Sequence, residues 1–235
     1  MSNPKSSASQ SLRAAQLAVL NSLTDPEIKT LVAEYGYTTT KLNKGKALYE
    51  AAVTTANTQR SSQGDQKAST AAYKQADAVA HDAYQALAKV ARATLPKPDL
   101  TTLGLDRPMP TTLAPFLQAA YTLFDNAGSV ALLAEFGYDA ERLAAERAKI
   151  EALEQADQAQ EIAKGDKQQA TQDQQAALAA LNEWVAQYLK IAKVALRGKQ
   201  QLLEKIGVVT RTTKTAAQRA APKKAAATRA ARKSA

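Results

Sequence analysis

LVAEYGY, at residues 31–37, returns as LLAEFGY at residues 132–138, an offset of 101. The same register then runs on without a gap, and between residues 31–95 and 132–196 it keeps 18 of 65 positions identical. Alanine-rich segments match by chance, but this frame also keeps Gly36/Gly137, Gly64/Gly165, Asp65/Asp166 and Lys89/Lys190. Both copies close on one phrase, Leu100-x-x-Leu103-Gly104-Leu105 and Leu203-x-x-Ile206-Gly207-Val208. One helical unit is therefore used twice. We place the units at 11–106 and 112–209, with the proline-bearing segment RPMPT, 107–111, as linker. Residues 1–10 are expected to be disordered.

Helix signals recur inside each unit. Asp25, Pro26 and Glu27 read as an N-cap, a proline at the first helical position and an acid in the first turn, opening a helix that stops at Gly36. Gly137 stops its counterpart, and the tyrosines that follow, Tyr37 and Tyr138, are expected to fold back over the apolar face. Thr38 and Asp139 each offer an oxygen to cap the long segment that follows. Apolar positions then thin out toward Gly64-Asp65 and Gly165-Asp166 and return beyond them, at Val79, Tyr84, Leu87 and Val90 and at Leu178, Leu181, Trp184, Val185 and Tyr188. That symmetry predicts an antiparallel hairpin with its solvated tip at each Gly-Asp. The competing reading is one helix of more than 50 residues that tolerates an interior glycine at a cost of about 1 kcal/mol. The expected fold class is all-α: two tandem copies of a four-helix unit with long antiparallel hairpins packed like coiled coils, followed by a disordered basic tail.

Alanine dominates the 45% of apolar residues, and Phe, Trp and Tyr reach only 5%, a balance that suits closely approaching helices. With no cysteine in the chain, disulfides, thiolate metal sites and cysteine nucleophiles are excluded together. Neither a signal-peptide core nor a stretch of roughly 20 apolar residues is present, so a cytoplasmic location is expected, with nucleoid association as its narrower alternative.

Catalytic constellations are thin. His81 is the only histidine and its matched position is Asn182, so no Ser-His-Asp set recurs and no histidine pair can hold a metal. Glu-x-x-His, which a di-iron bundle requires, does not occur. Glu34/Glu135 and Glu50/Glu151 are acids kept in both copies; the first pair is expected to bridge to Lys41 and Arg142 across the Gly-Tyr corner. Gly64-Asp65 and Gly165-Asp166 lack the further glycines and the Lys-Ser of a phosphate loop. An enzyme is not expected, nor a cofactor.

Charge separates the chain. Residues 1–205 carry 23 Lys and Arg against 22 Asp and Glu, whereas residues 206–235 carry eight cations and no acid. These are Arg211, Lys214, Arg219, Lys223, Lys224, Arg229, Arg232 and Lys233. Lacking large apolar side chains after Val209, the tail 210–235 has nothing with which to bury a core. Cations spaced by alanines neutralise phosphates without reading bases, and no aromatic residue among them supports stacking on single strands. Non-specific nucleic acid, DNA or RNA, is the expected partner; an anionic surface and a solubilising role are the alternatives. The body is expected to self-associate or meet protein partners, and a scaffold acting through the body with the tail as accessory is the rival function.

The body resembles a group of uncharacterised bacterial proteins built from two helical copies around a phrase like YGYTxxxLxxGxxLYE. Tyr35, Gly36, Tyr37, Thr38, Leu42, Gly45, Leu48, Tyr49 and Glu50 fit it, and the second copy departs at Asp139, Glu146, Lys149 and Ile150. The resemblance implies a two-copy helical fold and no activity. The tail resembles the Lys-, Ala- and Pro-rich tails of linker histones and bacterial histone-like proteins, which implies polyanion binding.

Overall fold

A computed structural model describes residues 7–208, all of them in helices, turns or connecting loops. Eight helices follow in order: α1 Ala8–Thr24, α2 Pro26–Ala33, α3 Thr39–Thr94, α4 Lys97–Thr102, α5 Leu113–Ala127, α6 Leu132–Glu135, α7 Ala140–Ala195 and α8 Gln200–Lys205. No strand occurs among the described residues, so the all-α class holds. Ordered structure begins earlier than expected, because Ser7 and Gln10 close a capping box on α1. Residues 107–111 lie outside any helix, but within the compact unit Thr54–Gln175 and not between two units.

The hairpin expectation is corrected. α3 and α7 are each continuous over 56 residues, with Gly64 and Gly165 in helical conformation inside them and not at tips. A Cβ at either glycine would meet nothing within 4 Å, so neither is required by packing or by its backbone.

The chain forms two compact units that follow contacts and not the sequence copies: Met1–Val53 with Ala176–Ala235, and Thr54–Gln175. In the first, α1 and α2 join the opening of α3, the end of α7 and α8. Small buried residues, Ser11, Ala15, Ala18 and Ser22, let α1 approach closely. The cluster they enter contains Ile28, Val32, Tyr37, Leu42, Leu181, Val185, Tyr188, Leu196, Leu203 and Ile206. Gly45 of α3 sits under the indole of Trp184 of α7, so closely that a Cβ there would lie 2.4 Å from the ring. Trp184 in turn stacks on Tyr188 and meets Tyr37 edge-on, at centroid distances of 5.3 and 5.8 Å. This contact explains why α3 pairs with α7 and does not fold back on itself. In the first copy the counterpart of Trp184 is Ala83, too small to cover Gly45, and in the second copy the counterpart of Gly45 is Glu146, which leaves no room for an indole.

The second unit is built on Tyr84, Leu87, Leu103, Phe116, Leu123, Leu133, Ile150 and Leu153, each almost fully buried. Inside it α3 and α7 run antiparallel: Gln66 accepts from Lys167 at 3.2 Å, while Tyr73, further along α3, lies in the field of Asp157 and Lys164, which precede Lys167 on α7. Gln66 and Lys167 are 101 residues apart, matched positions of the sequence register, and they meet each other. The seam here is polar, with Gln59, Gln66, Thr70, Lys164, Lys167 and Thr171 only partly covered.

Glycine-to-alanine substitutions should therefore differ in sign. At Gly64 and Gly165 alanine should raise the unfolding free energy by about 1 kcal/mol per site, read as a higher urea midpoint, whereas positive-φ tips would lose stability. At Gly45 it should cost roughly 1–3 kcal/mol, because the indole is held by two tyrosines and has nowhere to retreat.

Candidate functional site

The eight tail cations expected to hold nucleic acid, Arg211, Lys214, Arg219, Lys223, Lys224, Arg229, Arg232 and Lys233, lie outside the described residues. What the structure places is the body's polar chemistry.

The Gly-Tyr corners form as expected. Gly36 and Gly137 both take φ +81°, and the amides of Tyr37 and Tyr138 donate to the carbonyls of Val32 and Leu133 at 3.0 Å. Both tyrosine rings are buried. The expected bridges of Glu34 to Lys41 and Glu135 to Arg142 do not form, and the cations lie instead over the tyrosine rings, 4.4 Å from Tyr37 and 4.2 Å from Tyr138. Seven residues separate acid from cation around a sharp corner, and the ring between them is the nearer partner. Glu34 and Glu135 are left exposed. Asp139 caps α7 through the amide of Arg142 at 2.8 Å.

His81 lies beside one acid, its Nδ1 3.3 Å from the Asp77 carboxylate. Its ring stacks on Phe116 at 3.9 Å, nearly parallel, and Nδ1 lies 2.9 Å from the carbonyl oxygen of Asp77 one turn earlier. Glu50 and Glu151 are each taken by the cation four residues before, Lys46 and Arg147. Among the described residues no three His, Cys, Asp or Glu side chains gather as a metal would need. None of their helices is long and apolar enough to cross a membrane.

One polar network escaped sequence reasoning. Arg147 on α7 joins Asp125 of α5 at 2.6 Å, also pairs with Glu151, and lies over the ring of Tyr121 at 5.1 Å. Tyr121 donates to Glu154 at 2.7 Å. Tyr121, Arg147, Glu151 and Glu154 line a notch of about 570 Å³ with Gln155 and Gln158. The spacing of Arg147 and Glu151 is visible in the sequence, but nothing there joins Tyr121 or Asp125 to them. Burial first, then donation to Glu154, pushes the Tyr121 hydroxyl up to about 12, so it stays protonated and does not serve as a base. Every charge in the notch is satisfied internally.

Large apolar side chains stand exposed at matched positions: Tyr35 is 49% and Phe136 48% accessible, each at the residue before the helix-stopping glycine. Against protein-family models, curated proteins and solved structures, the chain gives no match.

The Tyr121 hydroxyl ionises later in the folded protein than in the unfolded chain, so its contribution to stability is complete below pH 10 and disappears as pH rises toward 12. Burial raises Tyr37, Tyr84 and Tyr188 in the same direction. Thermal melts should show Tm falling over that interval, less steeply in Tyr121→Phe. An equal alkaline slope in both proteins would remove Tyr121 from the account.

Proposed function

We propose that this is a non-enzymatic helical architectural protein whose C-terminal segment, 210–235, binds nucleic acid without sequence preference while the duplicated body spaces or joins what is bound. The observation that carries this reading is the segregation of charge. Residues 7–208 balance 22 Lys and Arg against 22 Asp and Glu, and residues 206–235 add eight cations with no acid. A neutral body with a cationic end neutralises phosphates through that end. The non-enzymatic part is supported by the use of the body's titratable groups in its own joints: Asp25 caps α2 and accepts from Lys205, Arg147 ties α5 to α7, and His81 stacks on Phe116. The likeness to duplicated helical bacterial proteins and to histone-like tails belongs to the same proposal.

Removal of residues 210–235 takes the net charge from +9 to +1 and should abolish duplex binding while the helicity of the body is kept. Binding by the intact chain should weaken steeply with salt. Eight cations set an upper limit of about 7 on the log-log slope, and partial engagement gives about 3 to 6. A truncated chain that binds as well as the intact one overturns the reading.

The scaffold reading is favoured by one observation, the exposed aromatic pair Tyr35 and Phe136. It expects concentration-dependent self-association in sedimentation that is lost in the double variant Tyr35→Ser/Phe136→Ser.

A further inference from the structure

The segment 107–111, which the sequence suggests as a linker, forms part of the wall of a pocket of about 490 Å³ inside the compact unit Thr54–Gln175. Pro108 and Pro110 come from that segment, Gly104 from the turn after α4, Pro115 and Ala119 from α5, and Tyr84 from α3. A cavity of this size falls among small-molecule sites, which run from about 300 to 1,000 Å³. Each proline fixes its own φ, so the wall is shaped by the fold before anything enters.

Tyr84 is the floor, because it alone of the lining residues is buried, at 2% exposure. Its ring is held against Phe116 at 5.6 Å, and its hydroxyl bonds to no described residue. Among the described residues no fully buried side-chain oxygen lacks a partner, so this hydroxyl reaches accessible surface, and the surface that Tyr84 borders is the pocket. In the other unit the equally buried Tyr188 has its hydroxyl taken by Ser22. Tyr37 and Tyr138 also lack a hydroxyl partner, but neither borders this pocket. At the position matched to Tyr84 the second copy has Val185, which has no polar atom to offer.

The walls around that hydroxyl are largely apolar. Thr101 and Thr122 donate their own hydroxyls to the carbonyls of Lys97 and Gln118 one turn back, at 3.1 and 2.8 Å. The methyl group of Thr122 stands 3.3 Å from where a Cβ on Gly104 would lie. Pro108, Pro110 and Pro115 have no N–H to give. Charged groups lie at the mouth, where Asp106 and Arg107 are exposed and 4.0 Å apart. Burial holds the Tyr84 hydroxyl above its ordinary pKa, while the charge of Arg92 acts in the opposite sense. The hydroxyl is therefore a donor at neutral pH, lying in the field of a cation.

We infer that this pocket binds a small molecule with an apolar body and a carboxylate end, the body against the prolines and Ala119 and the carboxylate accepting from the Tyr84 hydroxyl. A phosphate, which calls for several donors, finds one at the floor. The site is separate from the nucleic-acid reading and does not depend on it.

The test is a titration of the full chain with benzoate, followed through backbone amide chemical shifts, with benzamide as the uncharged counterpart. Saturable shifts should appear at Gly104, Gln118 and Ala119, and benzamide should bind more weakly. Tyr84→Phe should weaken benzoate by about 10- to 100-fold, the loss of one hydrogen bond to a charged acceptor. Its Tm should stay level or rise, since no group of the protein loses a partner. A hydroxyl that served only the fold would lower Tm and leave the affinity alone. Ala119→Leu fills the pocket from α5 and should abolish binding with far-UV circular dichroism unchanged. If millimolar benzoate gives no saturable shift, the pocket is a solvated dent and the inference is wrong. Equal affinity in Tyr84→Phe removes the hydroxyl from the site, and equal affinity for benzamide removes the carboxylate; either result overturns the assignment.

Discussion

The indole of Trp184 lies on the bare Cα of Gly45, and the choice of helix partners follows from that contact. Two copies of one helical sequence have two ways to pair their long segments, each within itself or each with the other, and their similarity makes the alternatives nearly equivalent. A large side chain against a glycine in one register breaks the tie, since every other pairing leaves either a void over Gly45 or an indole opposite Glu146. Voids and overlaps in packed cores cost kilocalories, against about 1 kcal/mol for an interior helical glycine. α3 and α7 accordingly stay continuous through Gly64 and Gly165.

Around that pairing each unit closes with the same few devices. The Gly-Tyr corners turn the chain and deliver a tyrosine to the interior, with a cation lying over its ring. The phrases that end the copies form matching stops, in which Leu105 and Val208 donate to the carbonyls of Leu100 and Leu203 from beyond glycines at φ +68° and +83°. Among the described residues no buried side-chain nitrogen or oxygen lacks a partner. Such satisfaction is expected of a body whose polar groups hold its joints. The polar seam around Gln66 and Lys167 differs, because its half-covered amides and hydroxyls bury little apolar surface. Stability there depends on helix propensity more than on apolar burial. Ion pairs tie helices together within each unit: Arg147 joins α5 to α7, and Lys205, at the end of α8, meets the Asp25 that caps α2.

Much was legible in the sequence because it is local. Asp25-Pro26 as a helix start, Gly36 and Gly137 as stops, RPMPT as a break and the cationic tail all act within a few residues of themselves, and backbone geometry or composition suffices to read them. The capping box of Ser7 and Gln10 is equally local. The partner of each long helix, the placement of Lys41 and Arg142 over rings in preference to carboxylates, and the joining of Tyr121 and Asp125 to Arg147 were decided by the tertiary structure. Each depends on which of two similar surfaces meets a third, a comparison of packing energies between segments about 100 residues apart. The fading of apolar residues toward Gly64 and Gly165 was real, but a hairpin tip and the polar seam of two continuous helices both produce it. Only the fit of Trp184 over Gly45, a contact across 139 residues of chain, separates the two.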